Sequence, residues 1–553
     1  MKQAVAEYVT PLVLSMVSSI TCDETRFKTL LSAVNQISSL SLKTSHDSQI
    51  KLISQEEFQS ELSSVNEKET RRKSDGVYYT PKDVTEFITC NAFINYTLST
   101  NTRIYNTRQA KEKFRAFHTD KVQKLLNSRI LDPTCGTGEF LVMAAKIKVE
   151  YLISKNKRER LTINQILQIA GSIFGNDIEQ TSIELSKLRL FFFFAQYIDD
   201  NETILNLATT LNANFSLFDF VIFNRENFGN FDIVIGNPPY VEYNKLPIKP
   251  LTGMGNAYAD VLINSEQVLA PEGVLAFIVP LSLVSTPRMG RLREYLSNTM
   301  RKQYFLNYAD RPDCLFVSVH QKLTIYLGAK ASLSKQVYSS NYNYWYKSER
   351  ENLFDRTEIF RSKYGFRFGI PKIGNEIESS IFKKVFTDDP SRSLLGNNLT
   401  DGEPIYLNMR GCFWMKAFTF NPGSKEYNEY KFDKSRASFI HCLLNSSLFF
   451  FFWIAISDCW HITSKELNSF KVAVLDQSKI PVFETLSKEL EAELERTKVY
   501  IGSKQTEYEY KHKDCKHVID KIDRALQQIY NLTDDELSYL INFNLRYRTS
   551  NGE

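Results

Sequence analysis

The stretch that most constrains this 553-residue chain is Phe231-Asp232-Ile233-Val234-Ile235-Gly236-Asn237-Pro238-Pro239-Tyr240. Its apolar run, rich in β-branched residues, reads as a buried strand. The strand must stop at Gly236, because two consecutive prolines support neither a continuing ladder nor an ordinary helix. Open α/β sheets place their ligands just beyond strand carboxyl ends. What stands there is an amide, a carbonyl held in one direction by prolines, and an aromatic ring. Asn237 and the Pro238 carbonyl can accept N–H bonds from a planar amino-bearing group, and Tyr240 can stack on it. The plainer reading is a strand-to-loop turn with a buried tyrosine. Asn237, Pro238, Pro239 and Tyr240 are therefore the candidate catalytic set.

The remaining sequence narrows the class. A chain this long divides into two to four units. With 43% hydrophobic and 24% charged residues it has a globular composition. A net charge of only +4 gives no global positive field, so a nucleic-acid partner would need locally clustered Lys and Arg. The eight cysteines are scattered, without Cys-x-x-Cys or His-Glu-x-x-His. That usage suits reduced thiols in the cytoplasm and leads us to expect no metal. Val9 to Met16 is apolar, but Glu7 precedes it and no clear cleavage site follows. Phe439 to Ile456 approaches membrane length yet holds His441, Asn445, Ser446 and Ser447, so it reads as a buried core helix, and no membrane role is expected.

Along the chain, residues 1–70 carry apolar positions at helical spacing and read as a helical prelude. Gly76-Val77-Tyr78-Tyr79-Thr80-Pro81 follows, with Thr80 placed to cap a helix from Lys82 to Ile94. Residues 100–128 read as helical and basic. Ile130-Leu131-Asp132-Pro133-Thr134-Cys135-Gly136-Thr137-Gly138-Glu139 reads as strand, glycine turn and helix. Asp132 can accept from a cationic amine there. Ile173-Phe174-Gly175 is a short strand closed by Asp177-Ile178-Glu179, with Glu179 opening a helix through a buried four-Phe run to Phe194. A third strand is expected near Leu211 to Phe220. Beyond the central motif, a helix opens at Tyr258-Ala259-Asp260. Strands follow at Val274 to Val279, Tyr304 to Tyr308 and Leu323 to Leu327.

These motifs together resemble gamma-class adenine-N6 DNA methyltransferases of the type II restriction–modification kind. The resemblance runs from Gly76 through nearly the whole chain and rests on Gly-x-Tyr-Tyr-Thr-Pro, Asp-Pro-x-x-Gly-x-Gly-x-Phe-Leu and Asn-Pro-Pro-Tyr. It implies an α/β fold, a doubly wound and mostly parallel methyltransferase sheet, with a C-terminal α+β target-recognition domain and helical ends. It implies an N-terminal helical segment (1–70), a catalytic domain (71–335), a recognition domain (336–480) and a C-terminal helical segment (481–553). The implied cofactor is S-adenosyl-L-methionine, touched by Tyr79, Thr80 and Pro81 and by Asp132, Pro133, Cys135, Gly136 and Gly138. Asp177 would take the ribose hydroxyls and Ile178 would pack on the cofactor's adenine. Asp219 would stand where the family offers a carboxylate or amide to the adenine amino group, although Asn214-Phe215-Ser216-Leu217-Phe218-Asp219 departs from the usual order. Tyr240 and Phe316 would stack on a target adenine flipped out of double-stranded DNA. A separately encoded restriction endonuclease is a candidate partner. Glutamine or RNA methyltransferases, and a catalytically silent DNA-binding specificity protein, are the competing readings. Aromatic residues among basic ones from Tyr338 to Tyr346 suit either nucleic-acid contact or an irregular core. Asp458 and His461 read as hydrogen bonding or DNA contact rather than catalysis.

Overall fold

The apolar runs around the central motif become strands of one sheet. A computed structural model describes residues 1–42, 51–68, 80–99, 103–156, 161–222, 229–246, 250, 252–316, 319–332, 334–363, 369–502 and 507–549. Its contacts divide the chain into two units. One comprises Met1–Pro280, Arg291–Phe305 and Cys314–Val337, and the other Leu281–Gly290, Leu306–Asp313 and Tyr338–Glu553.

The strands of the first unit are β1 (Ile130–Asp132), β2 (Ile173–Asp177), β3 (Phe215–Leu217), β4 (Phe231–Gly236), β5 (Leu269–Pro280) and β7 (Leu323–Ala329), with β6 (Lys302–Tyr308) belonging to it as far as Phe305. They lie in the order β3-β2-β1-β4-β5-β7-β6. The pairs β1–β2, β2–β3, β1–β4 and β4–β5 are parallel, whereas β5 and β7 are antiparallel. The fold is thus α/β with a mostly parallel sheet. From β1 the chain winds outward to β2 and β3, then returns to lay β4 on the other side of β1. The order reverses between β1 and β4, the place beyond whose strand carboxyl ends open α/β sheets hold their ligands.

Several expected elements differ in extent. The third strand is only three residues long, because the preceding helix runs from Asn201 through Asn214. The basic stretch forms two helices, Thr107–Arg115 and Thr119–Asn127, the first capped by Asn106. Pro271-Glu272-Gly273 lies within β5 rather than before it, and the β4–β5 register shifts between Phe231 and Ile233. Pro81, not Thr80, is the cap residue of Lys82–Leu98, and no side chain closes that end.

The prelude folds as helices Gln3–Ile20, Glu24–Ile37 and Gln55–Lys68. They share one apolar cluster with helix Gln180–Ala195, whose four phenylalanines are all buried. Phe58 meets Phe192 edge to face at 4.8 Å.

In the second unit, strand Glu403–Asn408 pairs antiparallel with Ala417–Phe418 and with Tyr427–Phe432. The expected single core helix is two helices, Lys434–Asn445 and Ser447–Ile456, bent by 61°. Ser446 sits between them with extended backbone, and its hydroxyl accepts from the Phe449 N–H to cap the second helix. Both helices are buried, and among the described residues no single helix is long and apolar enough to cross a membrane. Of the aromatic cluster near residue 340, Tyr342, Tyr344 and Trp345 are core side chains. Helices Ile480–Thr497, Lys516–Ile529 and Asp534–Asn542 close the unit.

Replacing Phe192 by alanine should leave a cavity between the prelude and the helix behind the sheet. A cost of about 3–5 kcal/mol is expected, read as a lowered denaturation midpoint. A loss under ~1 kcal/mol would mean the prelude contributes little to that core.

Candidate active site

Four parallel strands bring their carboxyl ends to one edge, and each contributes a polar group. At the end of β1, Asp132 is buried, with Thr134 N–H donating to Oδ1 at 3.1 Å. No basic side chain among the described residues lies within ion-pair distance of it. Burial therefore pushes its carboxyl well above the usual range, and the nearby Asp177 adds to the effect. The space it occupies exists because β4 ends in glycine. A Cβ at Gly236 would stand 2.6 Å from Asp132 Oδ1.

The glycine turn has the geometry its sequence demands. Gly136 and Gly138 have φ of 52° and 85°, a region that favours residues without a Cβ. At Gly138 space adds a second reason, since a Cβ would come within 2.8 Å of Ser186 Oγ. The Ser186 hydroxyl itself donates to the Gly136 carbonyl at 2.7 Å. Asp177 closes β2 and accepts from Gly136 N–H at 2.8 Å and Glu179 N–H at 2.9 Å. Burial nevertheless raises its carboxyl to about 6.

Asn176, fully buried, is a site residue that sequence reasoning passed over. Its amide nitrogen donates to the carbonyls of Pro133 and Phe218, both at 2.9 Å, while its oxygen accepts from the Ser216 hydroxyl at 2.9 Å. Its own carbonyl accepts from Cys135 N–H at 2.8 Å. One residue thus ties together the loops after β1 and β3. An amide inside an otherwise apolar strand, next to Gly175 and Asp177, was the available signal.

At the end of β4, Asn237 Nδ2 donates to Thr80 Oγ1 at 3.1 Å, which fixes which way the amide faces. Thr80 is thus engaged with the central motif instead of capping its helix. Pro81 is helix cap at the same junction, while Tyr79 lies outside the described residues. Pro238 is buried, and Pro239 and Tyr240 are half-buried. The Tyr240 hydroxyl donates to the Ile278 carbonyl at 2.9 Å, and its ring meets Tyr258 edge to face. The loop beyond is pinned by Asp260, which accepts from the hydroxyls of Tyr243, at 2.5 Å, and Thr252. The sequence showed Asp260 only as part of a helix start.

Other expected site residues are placed differently from one another. Pro133 and Cys135 lie in the loop after β1, with Cys135 buried. Ile178 is 65% exposed at the end of β2, as suits a side chain awaiting a ligand face. Asp219 follows β3 and accepts from Val221 N–H at 3.0 Å, capping a single helical turn. Phe316 is only 1% exposed, and its backbone bridges to Val319.

The edge therefore gathers two carboxyls and a glycine turn at the ends of β1 and β2, and an oriented amide followed by a tyrosine at the end of β4. An uncompensated buried carboxyl, left-handed glycines and an exposed isoleucine at a strand end fit a ligand with a cationic amine, a ribose and a flat ring.

Comparison with known proteins points the same way. Residues 171–313 match the family described as Eco57I restriction-modification methylase. That segment holds Asn176, Asp177, Asp219, the Asn-Pro-Pro-Tyr motif and Asp260. A putative type II restriction enzyme and methyltransferase of Methanocaldococcus jannaschii is 28% identical over 156 residues. The alignment covers 24% of this chain and only 13% of that relative. The fold is similar to that of the Type IIL restriction-modification enzyme MmeI, solved in complex with DNA. The TM-score is 0.55 at 12% identity, covering 99% of this chain and 96% of that one. Restriction–modification methylases are what the matched segment resembles in sequence.

The raised carboxyls set a pH dependence. A folded pKa of about 6 for Asp177 against an ordinary 3.8 means the folded state holds the extra proton. The contribution of Asp177 to stability should fall as pH rises from about 4 to about 6 and then level off. Asp177→Asn should flatten that part of the curve, changing the wild-type decline in melting temperature by a few degrees. Identical pH profiles for the two proteins would show that the carboxyl is not perturbed.

Proposed function

We propose that this protein is a site-specific DNA methyltransferase that moves a methyl group from S-adenosyl-L-methionine to the N6 amino group of adenine, within a restriction–modification or related defence system. The observation that carries the reading is the amide of Asn237, held by Thr80 at the end of β4, one residue from the glycine that makes room for Asp132.

In this reading Asp132 takes the cofactor's cationic amine, which replaces the missing counter-charge of a buried carboxylate. Gly136 and Gly138 let the backbone of the loop containing Pro133 and Cys135 approach closely, and Asp177 accepts from the ribose hydroxyls. Ile178 covers one face of the cofactor's adenine. Asp219 serves its amino group, and the Tyr79-Thr80-Pro81 backbone flanks the ligand. The bound cofactor supplies an electrophilic methyl group.

The adenine amino nitrogen is a poor nucleophile because its lone pair is delocalised into the ring. Asn237 Oδ1 and the Pro238 carbonyl accept its two N–H bonds and draw the nitrogen toward tetrahedral geometry. Pro239 stiffens the turn that aims them. Because the acceptors are set before the substrate arrives, the stabilisation needs little reorganisation. Tyr240, tethered through its hydroxyl to Ile278, offers a ring for the base. N6 is paired inside a duplex, so the base must leave the stack to reach this edge. Phe316 stacks on the base's other face in this reading.

Asn237→Ala should abolish methylation while leaving cofactor affinity near wild type, and activity within about tenfold of wild type would overturn the central assignment. Asp177→Ala should weaken cofactor binding by roughly 10- to 100-fold, the cost of lost charge-assisted hydrogen bonds. Calorimetry measures this, and an unchanged dissociation constant would move the ribose contact elsewhere. A duplex mismatched at the target adenine should bind more tightly than a matched one, since unpairing is already done. Equal affinities would remove base flipping from the reading and return a peptide glutamine as the leading substrate.

A further inference from the structure

Helix Gln180–Ala195 carries a buried arginine that the chemistry above does not use. Arg189 and Ser186 lie three residues apart, so both project from one face of the helix. Ser186 Oγ donates to the Gly136 carbonyl at 2.7 Å, and Arg189 Nη1 donates to the Thr137 carbonyl, also at 2.7 Å. The helix thus grips two successive carbonyls of the glycine turn after β1. A peptide unit is planar and trans, so these contacts also set the N–H groups of Thr137 and Gly138, which point the opposite way. That of Gly138 closes the turn on the Cys135 carbonyl at 2.8 Å.

Arg189 is only 4% exposed, and an arginine seldom goes so deep without partners for its whole guanidinium. It forms a two-pronged pair with Glu139, the first residue of the helix that follows the turn, with Nη1 on Oε1 and Nη2 3.2 Å from Oε2. The Thr137 hydroxyl donates to the same Oε1 at 3.3 Å. Both ends of the segment Thr137-Gly138-Glu139 are therefore bound to a single planar group. Because the pair is neutral, it brings no net charge to the cofactor edge. What it brings is direction, since a rigid fork fixes the orientation of what it holds, where a lysine would supply only a point charge.

The remaining guanidinium nitrogen is taken by the N-terminal prelude. Arg189 Nε donates to Gln59 Oε1 at 2.9 Å, and Gln59 Nε2 returns a bond to the Arg189 carbonyl at 2.9 Å. Gln59 follows Phe58, whose ring is seated against Phe192, one turn beyond Arg189 on the same helix. The apolar contact sets the approach of the two helices, and the amide sets the rotation of the guanidinium. Residues 1–70 lie outside the motifs that carry the family resemblance, so nothing in those motifs accounts for this contact.

We propose that Arg189 is a positioning residue for the cofactor turn and that Gln59 holds it in place, so that the prelude helix Gln55–Lys68 helps to set affinity for S-adenosyl-L-methionine. The proposal rests on the methyltransferase reading for its ligand. Neither side chain touches the cofactor; both act through the Thr137 carbonyl and the Glu139 carboxylate. A backbone that a ligand approaches closely must be held to within about 0.5 Å, and a turn built on left-handed glycines has little steric restraint of its own.

The test uses the full chain and two readouts, calorimetric binding of S-adenosylmethionine and hydrogen exchange of the segment 134–139 without ligand. Gln59→Leu, which loses both bonds at a half-buried position, should weaken binding roughly threefold to tenfold and speed exchange in the turn. Arg189→Lys, which keeps the charge and loses the fork, should weaken binding roughly tenfold. The double variant should cost less than the product of the two, because Gln59 acts through Arg189. Should Arg189→Lys fail to fold, Gln59→Leu carries the test alone. Arg26→Gln is the control. Its guanidinium joins the prelude to the carbonyls of Ile198 and Asp199, beyond the end of helix Gln180–Ala195, so its loss should leave both readouts at wild-type values. If wild type binds the cofactor and Gln59→Leu matches it in affinity and exchange, the prelude has no part in the site and the methyltransferase reading stands. If Arg26→Gln weakens binding as much as Gln59→Leu, the prelude supports the fold only and the positioning role is wrong. If wild type fails to bind S-adenosylmethionine, the cofactor reading falls, and the affinity claim falls with it.

Discussion

The sheet edge depends on one electrostatic constraint, a carboxyl group buried at the end of β1 with no cation within ion-pair distance among the described residues. Asp132 can stand there only because Gly236, on the adjacent parallel strand, has no side chain to occupy the same space. The glycine that ends β4 therefore does two things. It frees a place for a carboxyl group, and it positions Asn237 as the next residue of the chain. The raised carboxyls of Asp132 and Asp177 mean that the empty edge carries less negative charge than its residues suggest. A cationic ligand would restore the charged forms, so binding and deprotonation are coupled through the same groups.

Around that carboxyl, single amides hold the loops. Asn176 joins the turns after β1 and β3 with two donated bonds and one accepted bond, all at ordinary distances and shielded from water. Thr80 does the corresponding work for Asn237 from a residue 157 positions earlier in the chain. Fully satisfied buried networks rigidify what they connect. The preorganisation that a methyl-transfer reading requires is thereby built from hydrogen bonds that involve no ligand. In the second unit, Lys372 and Lys465 act on the end of helix Ser447–Ile456 as Asn176 acts on the loops after β1 and β3. Lys372 donates to the carbonyls of Ala455 and Ser457, and Lys465 to that of Ile456.

Much of this was legible in the chain. The strand ending at Gly236, the glycine turn after Asp132, the carboxylate at the end of β2 and the four-Phe core helix follow from local rules, namely β-branched runs, breakers and apolar periodicity. Those rules depend only on near neighbours in sequence, so they survive without knowledge of the fold. Capping boxes with equally local partners, Thr463 with Glu466 and Thr533 with Glu536, open helices Ser464–Ser469 and Asp534–Asn542.

What failed or went unseen depended on distant partners. Thr80 has the sequence of a helix cap, but Asn237 offers its hydroxyl a better-placed donor across the sheet edge. Residues 439–456 have the composition of one core helix, yet Ser446 breaks it. Its hydroxyl caps the second half, while Asn445 bonds the Ala417 carbonyl and Asp523 accepts from Ser447 N–H. The sequence by itself determined the strand ends and the chemical groups gathered there, because those are set by steric rules within a few residues. Only the tertiary structure decided which groups face one another and which are exposed, because a buried amide, hydroxyl or ring is committed by whichever partner the packing brings within about 3 Å.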